Sequence, residues 1–214
     1  MAETALPRSL DEFADRHALD AETRGLFAQY DERLLETAAH TNVISRNTLP
    51  DRWARHYEDS AQLFPLIRED ATTLLDIGSG AGFPGLVLGI LCRDRPLKIT
   101  LADSVGKKAR FLAETAHALG LSNITVSSDR VESFHVKRMS FDVITARAVT
   151  ALDGLLALAS PLLAPGGMLI FPKGARADEE LTAAATGWRF NHEKRASHTD
   201  PDASILILTE PERR

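Results

Sequence analysis

Three glycines at alternate positions are the residues of this sequence with the clearest chemical meaning. Gly78, Gly80 and Gly82 follow Asp76 in a stretch that reads Asp-Ile-Gly-Ser-Gly-Ala-Gly-Phe-Pro-Gly. Glycine lets the backbone turn sharply and lets a ligand approach the main chain closely. A structural turn is the alternative, but it does not need three alternate glycines. The loop is therefore predicted to bind a ligand.

Two cofactors compete for this loop. Gly80-x-Gly82-x-x-Gly85 matches the dinucleotide fingerprint G-x-G-x-x-G. Gly78-x-Gly80-x-Gly82, preceded by an aspartate, is the pattern of S-adenosylmethionine enzymes. The register favours S-adenosylmethionine, because the tight turn should begin directly after the strand, at Gly78. In that register Phe83 takes the place of the third glycine of the fingerprint.

A carboxylate at the end of the next predicted strand completes the cofactor site. Asp103 closes the apolar run of residues 98–103. Both competing cofactors contain a ribose, whose hydroxyl groups donate hydrogen bonds that a carboxylate accepts. We therefore expect Asp103 to bind the ribose.

Basic residues lie close to these motifs. Lys107, Lys108 and Arg110 begin a predicted helix, where cations oppose the helix dipole. Contact with phosphate and an ordinary solvated helix end explain them equally well. Arg55 and His56 share another predicted helix, for which the alternatives are an RNA contact and a solvated face.

The elements that must position these residues form two parts. Residues 1–70 are predicted to be an N-terminal helical extension, in which Ser9 caps the first helix. A second helix is predicted from near Asp20 and a third from near Thr48, with a proline in its first turn. Residues 71–214 are predicted to form the S-adenosylmethionine-binding domain.

From residue 73 onwards, short apolar runs alternate with helical patterns, which implies a parallel sheet. The predicted strands are residues 73–77, 98–103, 123–127, 141–146, 168–172, 188–194 and 204–209, and the predicted helices are residues 84–91, 107–119, 152–163 and 176–185. Between the last two strands there is no segment of helix length, which favours an antiparallel pair. The predicted fold is a doubly wound, mostly parallel, Rossmann-like α/β sheet with antiparallel C-terminal strands.

Composition narrows the class of protein. The chain has 214 residues, of which 44% are hydrophobic and 26% charged, as in ordinary globular proteins. Its formal net charge of −5 means that any contact with nucleic acid needs a local basic patch. We expect a cytoplasmic protein, because no signal peptide and no apolar run of roughly 20 residues is recognisable. No group of ligands with metal-binding spacing is present either, so no metal is expected.

Several motifs together resemble the RsmG (GidB) family. They are the loop of residues 76–85, Asp103-Ser104, Lys107-Lys108, Arg110-Phe111-Leu112, Arg130-Val131-Glu132-Ser133-Phe134, Arg147-Ala148, Leu152 and Lys173-Gly174, with Asn42, Arg55-His56 and Asp59-Ser60 upstream. The resemblance covers roughly residues 42–174. The sequence departs from the family at residues 42–46, and beyond Arg176 no motif matches.

The resemblance implies a methyltransferase that uses S-adenosylmethionine to modify N7 of a guanine in the decoding-region loop of 16S ribosomal RNA. Its partner would be this RNA or the small ribosomal subunit. Together, the glycine loop and the resemblance give these expected cofactor contacts: Asp76, Gly78, Gly80, Gly82, Phe83, Asp103, Val131, Glu132 and Arg147. The expected RNA contacts are Arg55, His56, Lys107, Lys108, Arg110 and Lys173.

The chemistry of guanine N7 agrees with the lack of an obvious group of catalytic side chains in the sequence. This nitrogen has a free lone pair and no proton, so its methylation needs no general base and depends mainly on alignment. No catalytic residue is assigned, and Arg147 is the candidate for positioning. The alternative functions are methylation of a small molecule or protein on the same fold, and non-catalytic binding of nucleotide or RNA.

Overall fold

The computed structural model describes residues 5–214, which contain one seven-stranded sheet. Its strands are β1 (Thr73–Ile77), β2 (Lys98–Ala102), β3 (Ile124–Ser127), β4 (Phe141–Ala146), β5 (Leu163–Lys173), β6 (Trp188–Ala196) and β7 (Ser204–Arg213). The order across the sheet is β3-β2-β1-β4-β5-β7-β6. Strands β1 to β5 are parallel, and β7 runs antiparallel to both β5 and β6. The predicted α/β fold is confirmed.

The central strands are continuous apolar runs because helices cover both faces of the sheet. In β1, Leu74 and Leu75 point to opposite faces and are both fully buried. The chain proceeds from β1 outwards to β2 and β3, and then returns to place β4 on the other side of β1. The strand order therefore reverses between β1 and β4. Ligands of such sheets bind outside the carboxyl ends of the strands at this reversal.

Eight α-helices surround this sheet in the described part of the chain. They are α1 (Leu10–Arg16), α2 (Ala21–His40), α3 (Asp59–Ala61), α4 (Gly85–Leu91), α5 (Gly106–Ala118), α6 (Glu132–Val136), α7 (Leu152–Ala159) and α8 (Ala177–Gly187). The predicted cap of α1 is confirmed, since Ser9 Oγ accepts from Glu12 N at 3.2 Å. Helix α2 begins next to Asp20 as predicted, and Asp20 Oδ1 caps it by accepting from Thr23 N at 2.7 Å. Within residues 5–214, no helix is both long and apolar enough to cross a bilayer.

Three local predictions are wrong. The third helix does not begin near Thr48: turns precede a π-helix at Trp53–Glu58, since the residue before a proline disfavours the helical conformation. Helix α7 ends at Ala159, and a 3₁₀ turn that contains a proline follows it. Strand β5 begins at Leu163 rather than at residue 168, because residues 165–167, which read Pro-Gly-Gly and suggested a turn, form a bulge within the strand.

The helical extension packs against α4, α5 and the glycine loop. Aromatic rings of α1, α2 and the π-helix form one cluster with a ring of the glycine loop: Phe13 and Phe27 lie 5.0 Å apart, Tyr30 and Tyr57 5.4 Å, and Tyr57 and Phe83 5.1 Å. All five side chains are buried. Aromatic pairs at such distances stabilise beyond their buried area. The extension and the glycine loop therefore share one core, and the proposed boundary near residue 71 stays a prediction.

Candidate active site

The glycine loop connects β1 to α4, and its three alternate glycines have φ angles of +68°, +60° and +102°. A β-carbon at Gly78 would lie 2.6 Å from Val149 Cγ2, and one at Gly82 would lie 2.6 Å from Tyr30 Oη. At Gly80 a β-carbon would meet only a backbone oxygen at 3.8 Å. The first and third glycines therefore permit close packing within the protein, whereas Gly80 borders space that a ligand can enter.

Asp76 holds the loop in shape. Its Oδ1 accepts a hydrogen bond of 2.8 Å from Thr145 Oγ1, and its Oδ2 accepts one of 3.0 Å from Gly85 N. The side chain is fully buried, and this burial raises the pKa of Asp76 to about 6. Direct contact between Asp76 and the cofactor stays a prediction. Its two protein contacts join β1 to β4 and to the start of α4.

Asp103 lies against the open glycine, at the end of β2. Its Oδ2 accepts a hydrogen bond of 2.9 Å from Gly80 N, and its Oδ1 accepts one of 2.9 Å from Val105 N. Each carboxylate oxygen has a further lone pair that ribose hydroxyls can use. An open glycine surface beside a carboxylate acceptor fits S-adenosylmethionine.

Val131 and Glu132 follow the end of β3, on the side of the loop where β2 and β3 lie. Val131 is buried and directly precedes α6, whereas Glu132 is exposed and binds Arg130 at 2.8 Å. This hydrogen bond with Arg130 lowers the pKa of Glu132, which is therefore ionised at neutral pH. Both residues lie at the carboxyl edge of the sheet, and their contact with the cofactor stays a prediction.

Arg147 follows β4 and is fixed by the helical extension. Its Nη1 donates to Asp59 Oδ2 and to the carbonyl of Arg55, both at 3.2 Å, and its Nη2 lies 3.0 Å from His56 Nδ1. Its Cζ lies 5.5 Å from the ring centre of Phe83. The guanidinium is therefore held before any ligand binds. Sequence resemblance identified Arg147 but not these partners.

His56 is a neutral acceptor rather than a cation. A guanidinium can only donate, so Nδ1 of His56 carries the lone pair and Nε2 carries the proton. Nε2 then donates to Thr48 Oγ1 at 2.9 Å. Burial lowers the pKa of His56 to about 3, and the charges of Arg147 and Arg55 act in the same direction. His56 therefore adds no positive charge near neutral pH.

A hollow of about 750 Å³ lies at the carboxyl ends of β4 and β5. Its walls come from the extension, residues 146–151 at the end of β4, Leu155 of α7, the end of β5 with α8, and the loop between β6 and β7 with the start of β7. Known small-molecule sites occupy about 300–1,000 Å³. The hollow is therefore large enough for a substrate, and Arg147 forms part of its wall.

Lys173 forms another part of this wall, where it secures the loop after β4. Its Nζ donates to Glu180 Oε2 at 2.8 Å and to the carbonyl of Thr150 at 3.0 Å. The same Glu180 oxygen accepts from Leu152 N at 2.7 Å, at the start of α7. The Lys173 side chain is only 8% exposed. Its predicted contact with RNA stays a prediction, and the role of Glu180 had no signal in the sequence.

Of the other predicted basic residues, Arg55 and Lys108 line two separate hollows. Arg55 lines the larger hollow, whereas Lys108 lines a second one of about 650 Å³ together with residues 42–47. Lys107 and Arg110 are exposed on the same helix as Lys108. Among residues 5–214, no group of three or more metal-binding side chains is gathered. The segment of residues 42–56 borders both hollows.

Solved methyltransferases share this fold. The S-adenosylhomocysteine-bound methyltransferase PaMTH1 of Podospora anserina has a TM-score of 0.59 at 13% identity, covering 84% of this chain and 86% of that chain. A ribosomal protein L11 methylase from Lactobacillus delbrueckii subsp. bulgaricus has a TM-score of 0.57 at 15% identity, covering 71% and 76%. The chain therefore has the fold of Rossmann-like methyltransferases.

Sequence comparison identifies the family within this class. The family model GidB, described as rRNA small subunit methyltransferase G, matches residues 24–203. Ribosomal RNA small subunit methyltransferase G of Rhodospirillum centenum is 41% identical over 214 residues, covering 98% of this chain and 96% of its own. That of a Cereibacter sphaeroides strain is 42% identical over 189 residues, covering 87% and 89%. The chain belongs to the GidB family, which confirms the resemblance.

Proposed function

We propose that this chain transfers a methyl group from S-adenosylmethionine to N7 of a guanine in the decoding-region loop of 16S ribosomal RNA. The relatives are named as methyltransferases of small-subunit ribosomal RNA. The observation that carries the proposal is the large hollow over β4 and β5, next to the glycine loop after β1. A substrate bound there would lie beside a cofactor in the glycine loop, near the strand-order reversal where ligands of such sheets bind.

Chemistry around the hollow supports a reaction that needs no general base. S-adenosylmethionine supplies an electrophilic methyl group, and guanine N7 already has a free lone pair. His56, the histidine of this wall, has its proton bound to Thr48 and its lone pair bound to Arg147. Both ring nitrogens of His56 are therefore engaged in hydrogen bonds, and His56 is not ready to remove a proton. The task of the chain is to orient the two reactants, to which the fixed guanidinium of Arg147 contributes.

Unpaired cations support RNA as the substrate of an acidic protein. Six arginine and lysine side chains around the two hollows and on α5 have no partner within residues 5–214: Arg46, Arg55, Lys107, Lys108, Arg110 and Arg176. Phosphate contacts by such cations provide most of the affinity for a nucleic-acid backbone. We propose that RNA follows the segment of residues 42–56 from the smaller hollow to the larger one. A substrate in the small ribosomal subunit also implies action in the cytoplasm.

The test is to map methylated guanines. The purified chain is incubated with S-adenosylmethionine and either 16S RNA transcribed in vitro or small subunits reconstituted from it. Reduction and aniline treatment then cleave the RNA at N7-methylguanine. We expect one cleavage in the decoding-region loop, and none with the Gly80→Val variant. In a parallel reaction, S-adenosylmethionine carries a radioactive methyl group. Radioactivity that appears in a protein or small molecule, and not in RNA, would support the alternative substrates.

A further inference from the structure

Most charged side chains in the wall of the larger hollow are bound to other parts of the protein. Asp59 binds Arg147 at 3.2 Å, and Glu180 binds Lys173 at 2.8 Å. Asp200 accepts a hydrogen bond of 2.9 Å from a backbone N–H of its own turn. The two ion pairs hold the wall together, and the bond within its own turn fixes the orientation of Asp200.

Three charged side chains of this wall have no partner among the described residues: Arg55, Arg176 and Glu179. The two cations suit the phosphates on either side of a bound nucleotide. Glu179 is unsuited to a phosphate, because an unpaired carboxylate repels an RNA backbone. The dipole of α8 stabilises the Glu179 carboxylate in the first turn of this helix, and its unpaired oxygens can accept hydrogen bonds from a substrate that offers donors.

We propose that Glu179 binds the Watson–Crick edge of the target guanine and thereby selects guanine over other bases. The inference rests on the proposed function of the site. The N1–H and N2 amino groups of guanine are adjacent donors, and an ionised carboxylate offers two oxygen acceptors. Enzymes that act on a base extruded from the RNA read it by hydrogen bonds to this edge. Adenine presents a lone pair at N1 and would be repelled.

The position of Glu179 agrees with the direction of methyl transfer. N7 lies on the opposite side of guanine from N1 and N2, so a base with N7 towards the glycine loop turns its N1 and N2 groups away from it. The glycine loop follows β1, whereas Glu179 lies in the first turn of α8, directly after β5. Two strand spacings separate β1 from β5, on the order of 10 Å. This is a suitable span for a purine bound at both edges.

The test compares guanosine with inosine, which lacks the N2 amino group but keeps N7 and N1–H. Small subunits are reconstituted with 16S RNA that carries guanosine, inosine or adenosine at the mapped target position. We expect Glu179→Ala to lower kcat/KM on guanosine about tenfold to a hundredfold, as the loss of a charge-assisted hydrogen bond does. The wild-type chain should prefer guanosine over inosine, and Glu179→Ala should lose this preference.

Asp178 provides a matched control. It lies beside Glu179 on α8 and is also an exposed carboxylate, but it binds Lys194 at 2.6 Å and does not line the larger hollow. Asp178→Ala should keep the wild-type preference for guanosine. The affinity of both variants for S-adenosylhomocysteine should remain unchanged.

Two results would overturn the inference in distinguishable ways. If Glu179→Ala retains the wild-type preference, or reacts faster with all three RNAs, Glu179 is only a solvated charge although the methylation itself stands. If the wild-type chain methylates none of the RNAs, the proposed function fails and the inference fails with it.

Discussion

Nη2 of Arg147 donates a hydrogen bond of 3.0 Å to Nδ1 of His56, across 91 residues of sequence. The contact joins the end of β4 to the helical extension. Because arginine remains protonated, Nδ1 of His56 must hold a lone pair, and the imidazole must stay neutral for the contact to form. The orientation of Arg147 thus depends on the protonation state of a second residue in the same wall.

The pKa of His56 predicts a pH dependence of stability. In the folded chain this pKa is about 3, compared with an ordinary value of 6.5. Between these values the unfolded chain binds a proton that the folded chain does not, so stability falls as the pH falls below 6.5. Between pH 7 and pH 5, the wild-type chain should lose up to about 2 kcal/mol more unfolding free energy than His56→Gln. Urea unfolding at both pH values measures this difference.

The comparison with His56→Gln separates this effect from other titrating groups. Asp76, whose pKa is raised to about 6 by burial, acts in the opposite direction, because its protonation at low pH favours the folded chain. That contribution is present in both proteins and cancels. Equal losses in the two proteins would show that His56 is not held neutral.

Gly80 and Gly82 should respond differently to the same substitution. Gly80→Ala introduces backbone strain of about 1–2 kcal/mol but no clash, so the chain should fold and lose cofactor affinity. In Gly82→Ala the new β-carbon would lie 2.5 Å from Leu86 Cδ1 and 2.6 Å from Tyr30 Oη, so stability should fall further. Thermal unfolding and calorimetric titration with S-adenosylhomocysteine distinguish the two effects.

Gly25 is the control for these glycine variants. It lies within α2, and a β-carbon there has no atom within 4 Å. Gly25→Ala should therefore stabilise the chain by about 0.5–1 kcal/mol without changing cofactor affinity. Normal cofactor affinity in folded Gly80→Ala would exclude this part of the loop from the binding site.

Asp103→Asn should weaken the binding of S-adenosylhomocysteine. The proposed hydrogen bonds to ribose hydroxyls are charge-assisted, and losing one costs about 1.5–3 kcal/mol, or roughly tenfold to a hundredfold in affinity. Asp94→Asn is a suitable control, because this exposed carboxylate precedes β2 and lies at the opposite edge of the sheet. Calorimetry on both variants gives the comparison. An unchanged dissociation constant for Asp103→Asn would leave Asp103 with only its two backbone contacts.

Local patterns predicted those parts of the molecule that local forces determine. The apolar run of β1, the glycines after it and the cap Ser9 are recognisable because each depends on residues within a few positions. The contacts of Arg147 with His56 and Asp59 span 91 and 88 residues, and periodicity carries no information about them.

The sequence also did not reveal which long polar side chains are buried. Lys173 looked like a cation available to RNA, whereas it binds Glu180 on the following helix. Whether Lys173 is available to RNA or bound to Glu180 depends on how closely α8 packs against the end of β5. A glutamate seven residues after the lysine does not reveal that packing.

Reversing the charges of Lys107 and Lys108 should weaken RNA binding. Both belong to the first turn of α5, and neither has a partner within residues 5–214. Each lost contact with a single-stranded phosphate should reduce the salt dependence of log K by about 0.7. For Lys107→Glu/Lys108→Glu we therefore expect weaker binding to 16S RNA or subunits, and a slope smaller by about 1.4. Titrations at several salt concentrations measure both quantities.

Arg213→Glu/Arg214→Glu makes the same change of charge elsewhere on the surface. Both arginines lie at the end of β7, which runs antiparallel to β5 and therefore ends at the edge of the sheet opposite the two hollows. This control should retain the RNA affinity and salt slope of the wild-type chain. A parallel titration with S-adenosylhomocysteine should give the wild-type affinity for both double variants, because Asp103 and the glycine loop are unchanged. Wild-type RNA affinity and slope in Lys107→Glu/Lys108→Glu would show that the start of α5 does not face RNA.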